Sequence, residues 1–176
     1  MEQLYTISEN GAILELEERS VVHQKGLLHL AIQCWVMNED GQVLIQRRSA
    51  TKDKSAGKWD VSFGGHCVSV NDHQDIFLAN ILKEGQEELG LDLDGLDIIK
   101  LGEVRYTSQN GCNKELLGVF LVNVLKMQQF VFCDHEVSDV KWIDIKELEK
   151  QIINHPQEYA NRIGALSLLK IYLQNS

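Results

Sequence analysis

The stretch at residues 83–91, Lys-Glu-Gly-Gln-Glu-Glu-Leu-Gly-Leu, constrains the fold of this chain most strongly. It predicts the last turns of a helix that ends at Gly90, because glycine readily takes the left-handed conformation found just after a helix. Glu84, Glu87 and Glu88 are spaced i, i+3 and i+4, so we expect their carboxylates on one helical face. A second face suits burial, and it consists of Leu78, Leu82, Gly85 and Leu89.

Three carboxylates on one side of a helix repel one another unless a cation lies among them. Hard oxygen ligands clustered in this way suit Mg²⁺ or Mn²⁺. The triplet alone leaves open the alternative that this is an acidic helix face exposed to solvent. The segment Gly64-Gly65-His66, which closes an apolar strand-like run upstream of the helix, favours the metal-binding interpretation.

Together the two segments resemble the Nudix box, a glycine followed by Arg-Glu-apolar-x-Glu-Glu-x-Gly-apolar at the end of a loop–helix–loop. Lys83 takes the place of the arginine, and Gly85 takes the place of an apolar residue. The loop between Gly65 and the glutamates is about four residues longer than in the family. The acidic residue that precedes the family's helix corresponds to Asp75 or Asp72, or is absent here.

The resemblance implies an α/β protein with the Nudix fold, an α/β/α sandwich with a mixed central sheet and an N-terminal hairpin. Residues 1–176 then form a single domain, with a hairpin extension at 1–26 and the Nudix core at 27–176. The hydrophobic pattern agrees, and Asn10-Gly11 is a strong hairpin signal. Strands are predicted at 3–7, 12–17, 27–37, 42–46, 59–63, 96–108, 116–125 and 137–143, and further helices at 145–152 and 157–173.

By the resemblance, the metal site contains Glu84, Glu87 and Glu88, completed by the carbonyl oxygen of Gly65 or its neighbour. Divalent metals would neutralise the phosphates and lower the pKa of the attacking water. Glu115, predicted on a facing strand, is the candidate for an extra ligand or for the base that takes the water's proton. The alternative interpretation is that Glu115 is an exposed strand residue without a role in the site.

Two positions around this metal site have predicted supporting roles. Lys83 is predicted to pair with a carboxylate of the box and orient it. Asp75 is assigned a similar supporting role next to the metal.

Basic side chains are predicted to bind the phosphates of the substrate. Arg47 and Arg48 follow a strand, and guanidinium groups match phosphate geometry. Because consecutive strand residues face opposite ways, only one of the two is expected to point into the site, and we favour Arg47. Lys58 is a further candidate, whereas Lys52 and Lys54 are interpreted as solubilising loop residues.

The resemblance extends to the Nudix branch related to isopentenyl-diphosphate isomerase. His23, His29 and His66 match three metal-binding histidines of the isomerase, and Glu115 matches one of its glutamates. These residues form an alternative zinc or manganese site, unless they serve only for hydrogen bonding. The catalytic cysteine of the isomerase, however, is replaced here by Gly64.

The isomerase's second metal-binding glutamate is replaced by Asn113, which argues further against isomerisation. Cys67 lies on the other side of His66, where strand alternation would aim it differently. Three functions therefore remain: a diphosphate hydrolase, which is favoured, an isomerase, and a diphosphate-binding module without catalysis.

The net charge of −9 argues against general binding of nucleic acid polymers, which needs a basic surface. A small-molecule diphosphate remains compatible with it, because bound metal inverts the local field. The sequence contains no run of 18 apolar residues, and it starts without a signal-peptide pattern. Its four cysteines include no CxxC pair, so a cytoplasmic protein away from the membrane is expected. Whether it forms a homodimer is left open.

Overall fold

The computed structural model of the protein describes residues 2–52, 54–69, 75–133, 135–160 and 165–175. Its strands are β1 (Gln3–Ile7), β2 (Ile13–Glu18), β3 (Leu28–Met37), β4 (Gln42–Arg48), β5 (Trp59–Asp60), β6 (Phe63–His66), β7 (Ile98–Thr107), β8 (Lys114–Asn123) and β9 (Val137–Asp144). Its helices are α1 (Arg19–Lys25), α2 (Ile76–Leu89), α3 (Ile145–Asn154) and α4 (Leu166–Asn175), with a 3-10 turn at Pro156–Glu158 before α4.

Strand β3 lies at the centre of the sheet and organises its neighbours. It runs parallel to β8 from Leu28 opposite Lys114 to Met37 opposite Asn123. It pairs antiparallel with β1, β4 and β6, and the β6 pairing places His66 opposite Ala31. β7 pairs with β8, and β9 pairs with β4. The predicted mixed sheet is therefore confirmed, and so is the N-terminal hairpin, in which β1 pairs antiparallel with β2.

Alternate residues of β3 supply two hydrophobic cores, one on each face of the sheet. Ile32 packs towards α2 in a cluster with Ile81 and Leu89. Trp35 packs on the opposite face in a cluster with residues of α3 and α4, including Leu148 and Leu169. The helices therefore cover both faces of the sheet, as expected for the predicted α/β/α sandwich.

Helix α2 begins and ends with residues suited to those positions. The Asp75 side chain accepts a hydrogen bond from the backbone N–H of Leu78 at 3.1 Å, which caps the first turn. Gly90 ends the helix in the left-handed conformation with φ of 65°, as predicted. The buried face differs from the prediction, because Leu78 is 37% exposed and Ile81 is fully buried instead.

Two predicted elements of the N-terminal half are corrected by the structure. Helix α1 was not predicted, and it joins the hairpin to β3 with Val22 buried beneath it. The strand predicted at 59–63 is divided into β5 and β6. The Ser62 hydroxyl donates to the carbonyl oxygen of Leu44 at 2.6 Å where the chain changes direction.

The C-terminal half follows the prediction more closely. Asp144 accepts hydrogen bonds from the backbone of Lys146 and Glu147, so it caps α3 as expected. The helix predicted at 157–173 appears as the 3-10 turn and α4, with residues 161–164 outside the described part of the chain. No helix in the described ranges has both the length and the apolar character needed to cross a membrane.

Candidate active site

A cavity of about 850 Å³ opens beside the acidic face of α2. Its walls come from α2, β6, the chain between β4 and β5, the turn between β7 and β8, and the N-terminal segment. Among the described residues, the cationic side chains that line it are Arg19, Arg48, Lys52, Lys54 and Lys83. The cavity therefore combines acidic and cationic groups, the combination that metal-assisted phosphate binding needs.

The three glutamates of α2 have different surroundings. Glu84 lines the cavity at 8% exposure, and Glu87 lines it with a half-exposed side chain. Glu88 is only 2% exposed, and its Oε2 accepts a hydrogen bond of 2.7 Å from the Gln46 side chain. Burial raises the pKa of Glu84, although the neighbouring Lys83 ammonium opposes this shift. The acidic face is thus partly buried and not simply exposed to solvent.

Lys83 lies between two of these glutamates, as predicted for the residue in the arginine position of the box. Its Nζ is 2.9 Å from Oε1 of Glu84 and 2.6 Å from Oε2 of Glu87. Burial by itself lowers the pKa of Lys83, but the hydrogen bonds to Glu87 and Glu84 raise it overall. Asp75 was predicted to have a related supporting role, but its observed contact is the helix cap, so it acts on α2 as a whole.

Gly65 lies directly against the Glu84 carboxylate. A Cβ atom at position 65 would lie 2.8 Å from Cδ of Glu84 and 2.9 Å from its Oε2. Only a glycine permits this approach, which brings the carboxylate next to the backbone of β6. The neighbouring Gly64 is restricted differently, because a Cβ there would lie 2.5 Å from the backbone oxygen of Ile32.

Arg48 faces the cavity, and the prediction that Arg47 is the inward residue is wrong. Arg48 Nη1 lies 3.4 Å from Oδ2 of Asp60, and its Nε donates to the backbone oxygen of Lys54. Arg47 donates to the backbone oxygen of Gly57 and packs over the Trp59 ring. The pairing of β4 with β9 shifts register between Arg47 and Arg48, which disturbs the regular alternation of strand faces.

The lysines also differ from the prediction. Lys58 is not among the described residues that line the cavity, whereas Lys52 and Lys54, interpreted as solubilising residues, are. Lys52 forms an ion pair with Glu136, which also lines the cavity. Their position depends on how the loop between β4 and β5 folds back, and no local sequence signal distinguishes them from Lys58.

His23, His29 and His66 converge as the resemblance implies. Their ring centroids are 5.1–5.4 Å apart, and one ring nitrogen from each lies within 4.8 Å of the others. His23 comes from α1, whereas His29 is on β3 and His66 is on β6. Nδ1 of His29 lies 2.9 Å from the carbonyl oxygen of Leu27. Because a carbonyl oxygen only accepts hydrogen bonds, Nδ1 is the donor, and the lone pair of the His29 ring is on Nε2.

The residues of this histidine cluster fit a metal ion. Nε2 of His23 and Nε2 of His66 are buried without a hydrogen-bond partner in the described structure. Burial, followed by the effect of His66, lowers the pKa of His23 to about 4. A neutral imidazole keeps the lone pair that a metal requires, so the cluster offers suitable nitrogen ligands.

Glu115 lies with the histidines and does not line the cavity. It is fully buried on β8 opposite His29, and its Oε1 lies 3.4 Å from Nε2 of His66. The Asn113 side chain donates a hydrogen bond of 2.8 Å to the same oxygen. This position favours the predicted role of Glu115 as an extra metal ligand over its role as the base that takes a proton beside α2. It also contradicts the alternative that Glu115 is an exposed strand residue.

The N-terminal segment contributes residues that the sequence reasoning missed. Glu2 lines the cavity, with Oε2 3.2 Å from Nη1 of Arg19 and Oε1 3.8 Å from Nδ1 of His66. The contact with His66 lowers the pKa of Glu2 against the opposing effect of burial.

Tyr106 also lines the cavity, from the end of β7. Asp72 of the lengthened loop lies outside the described residues.

Comparison with known proteins identifies the family. The NUDIX domain model matches residues 27–163. An uncharacterised Nudix hydrolase of Clostridium acetobutylicum is 27% identical over 159 residues, which cover 87% of this chain and 75% of that protein. The isopentenyl-diphosphate Delta-isomerase of Salmonella paratyphi B is 30% identical over 135 residues, which cover 76% and 71% of the two chains.

A solved structure agrees with these sequence matches. The crystal structure of DR0079 from Deinococcus radiodurans superposes with a TM-score of 0.72 at 20% identity, covering 97% of this chain and 98% of that one. The resemblance drawn from the box and the predicted α/β fold are both confirmed. The chain therefore belongs to the Nudix family.

Proposed function

We propose that this protein hydrolyses the diphosphate bond of a small organic molecule, such as a nucleoside diphosphate linked to a second group, with Mg²⁺ or Mn²⁺ in the cytoplasm. The observation that carries the proposal is the cavity in which Glu84 and Glu87 face basic side chains. Carboxylates alone would repel a diphosphate, and cations alone would bind it without activating water. The two together support hydrolysis.

The residues around Gly65 fit a divalent cation. Glu84, Glu87 and Glu88 offer hard oxygen ligands. Because residue 65 is a glycine, the Glu84 carboxylate lies against the backbone of β6, where the Gly65 carbonyl is a further candidate ligand. Such a cation, when bound, supplies charge neutralisation and a water of lowered pKa. Lys83 then orients Glu84 and Glu87 by its two hydrogen bonds.

Arg48 is the best-supported phosphate-binding side chain. It reaches the cavity from the end of β4, and its contact with Asp60 fixes the guanidinium in place. Lys52 and Lys54 extend the basic surface along the same wall. A guanidinium forms two parallel hydrogen bonds to a phosphate group, whereas the lysines attract it as point charges. Arg47 and Lys58, which do not border the cavity, are no longer supported as substrate-binding residues.

We also propose that His23, His29, His66 and Glu115 bind a zinc or manganese ion. Three converging imidazoles together with a buried carboxylate support this second site. It lies next to the first, because His66 directly follows Gly65 in β6. Metal analysis of the purified protein and of a His29→Asn variant tests it. An equal zinc and manganese content in the two proteins would count against the site.

The geometry gives less support to isomerisation of isopentenyl diphosphate. A cysteine at position 64 would need β3 to move, because even its Cβ would overlap the Ile32 oxygen. Burial raises the pKa of the nearby Cys67 thiol, which makes it a poor proton donor. Apart from Tyr106 and Ala160, the described cavity lining is polar, charged or glycine, so an isoprenoid chain finds little apolar surface. A polar group beside the diphosphate fits better.

The glycine at position 85 gives no support to the alternative of a binding module without catalysis. Gly85, the departure from the box, has a packing reason, because a Cβ there would lie 2.7 Å from a side-chain carbon of Leu93. The Leu93 side chain occupies the space that an apolar residue of the helix would otherwise take. The substitution therefore leaves the acidic face intact.

A substrate panel tests the proposed function. The protein is incubated with Mg²⁺ or Mn²⁺ and with nucleoside diphosphate sugars, dinucleoside polyphosphates and isopentenyl diphosphate, and the products are followed by phosphorus NMR. We expect metal-dependent cleavage of at least one diphosphate into two phosphate-bearing products. Conversion of isopentenyl diphosphate to its isomer would favour the alternative, and binding without cleavage would favour the non-catalytic module.

A further inference from the structure

Glu88 differs from the other two glutamates of the box in the group that supports it. Glu84 and Glu87 border the cavity and share the Lys83 ammonium. Glu88 is turned towards the sheet, where its Oε2 lies 2.7 Å from Nε2 of Gln46. The box therefore contains carboxylates supported by a cation and one supported by a neutral amide.

Gln46 is held firmly on both sides. It lies within β4, opposite Asp60 of β5 and opposite Val140 of β9. Gln46 is 3% exposed, so water does not compete strongly for its amide. Because the backbone of Gln46 is fixed by two neighbouring strands, the amide presents its N–H at a defined point beneath α2. The hydrogen bond then fixes Glu88 relative to the sheet that carries Gly64 and Gly65.

We infer that Gln46 is a positioning residue, which orients the Glu88 carboxylate for a divalent metal while leaving its negative charge intact. This inference rests on the proposed function. Hydrogen bonds from N–H groups to a carboxylate are strong and directional. An ammonium group in place of the Gln46 amide would neutralise the charge of the Glu88 carboxylate and compete with the metal. The neutral amide does neither. A buried ligand without such support loses the fixed geometry that metal affinity depends on.

The decisive variant is Gln46→Met, which keeps the side-chain length and removes the donor. Mg²⁺ binding is measured by isothermal titration without substrate, because this small hard cation prefers oxygen ligands over the histidine cluster. We expect affinity about tenfold weaker than in the unchanged protein, in the range found for groups that orient metal ligands. Ser62→Ala is the control, since it removes two other buried hydrogen bonds of the sheet, one donated to the Leu44 oxygen and one accepted from the Val36 N–H. It should lower thermal stability and leave Mg²⁺ affinity unchanged.

A second variant keeps the Glu88 carboxylate and tests only the reach of the amide. Gln46→Asn retains an amide but shortens the side chain by one methylene, so the N–H group no longer reaches Oε2 of Glu88. We expect Mg²⁺ affinity about tenfold weaker than in the unchanged protein, as in Gln46→Met.

Three results would overturn the inference. The first is tight Mg²⁺ binding by Gln46→Met, and the second is tight binding by Gln46→Asn, which decides the question even if Gln46→Met does not fold. The third is the absence of Mg²⁺ binding by the unchanged protein, which would also refute the proposed metal site. The first two results leave the proposed function standing, so the two failures are distinguishable.

Discussion

A methyl group at position 65 should impair metal binding far more than folding. In Gly65→Ala the new Cβ would lie 2.8 Å from Cδ of Glu84, whereas ordinary contacts begin at 3.4 Å. The carboxylate must therefore retreat by about 0.6 Å, several times the tolerance of about 0.2 Å on metal–ligand distances. We expect Mg²⁺ affinity and turnover to fall by about 10- to 100-fold.

The same structure predicts a small effect of Gly65→Ala on stability. The displaced atoms are the tip of a flexible side chain, so the free energy of unfolding should fall by less than about 1 kcal/mol. Gly64→Ala is the matched comparison, because its Cβ meets the backbone oxygen of Ile32 at 2.5 Å. That overlap cannot be relieved by rotating a side chain, and we expect about 3 kcal/mol or more of destabilisation.

Chemical denaturation and titration of activity with Mg²⁺ measure the two effects separately. Two results would refute the reasoning. One is a Gly65→Ala protein with the Mg²⁺ dependence and turnover of the unchanged enzyme. The other is a loss of stability as large as that of Gly64→Ala, which would mean that the backbone of β6 moves instead of the Glu84 carboxylate.

Three further predictions concern charge. Lys83→Met leaves the repulsion between Glu84 and Glu87 uncompensated, so the free energy of unfolding of the metal-free protein should fall by about 0.5–1 kcal/mol. Saturating Mg²⁺ should restore most of this loss. An unchanged melting temperature without metal would contradict the prediction. The pKa of His23 is about 4 in the folded protein, against 6.5 for an ordinary histidine, so the unfolded chain takes up the proton first as the pH falls. The stability of the metal-free protein should therefore decrease as the pH is lowered from 6.5 towards 4. His23→Gln should flatten that slope, and an identical slope would refute the assignment. Arg48→Lys should raise KM for the diphosphate about tenfold, and Arg47→Lys less than twofold, in steady-state kinetics; equal or reversed effects would show that the cavity-facing arginine has been misassigned.

Much of the fold was predictable because its signals are local. The acidic helix and its end at Gly90 follow from the spacing of residues 83–91, and the strands follow from apolar runs bounded by turn residues. Helix α1 was missed because it has only seven residues and Glu18, the residue just before it, makes no side-chain cap. Such a short helix is stabilised by packing, here of Val22, more than by its own sequence.

The site was less predictable because its geometry depends on pairing between distant strands. The histidine cluster was found through the family resemblance, and the pairing of β3 with β6 brings His66 beside His29. Arg48 was misjudged because the register shift against β9 lies at the same residue, which strand alternation alone does not reveal. Glu2 reaches the cavity only because the hairpin packs against the core, and no motif marks it.

The central claim is that the acidic face of α2 holds the metal that drives diphosphate cleavage. Its most direct test is the turnover of Glu88→Gln, which keeps the side-chain shape and removes the charge, on whichever diphosphate the panel identifies. Phosphorus NMR with Mg²⁺ present should show turnover reduced at least about 100-fold, a loss of the size seen for other charge-stabilising groups. A folded Glu88→Gln protein that cleaves the diphosphate at the rate of the unchanged enzyme would contradict the claim.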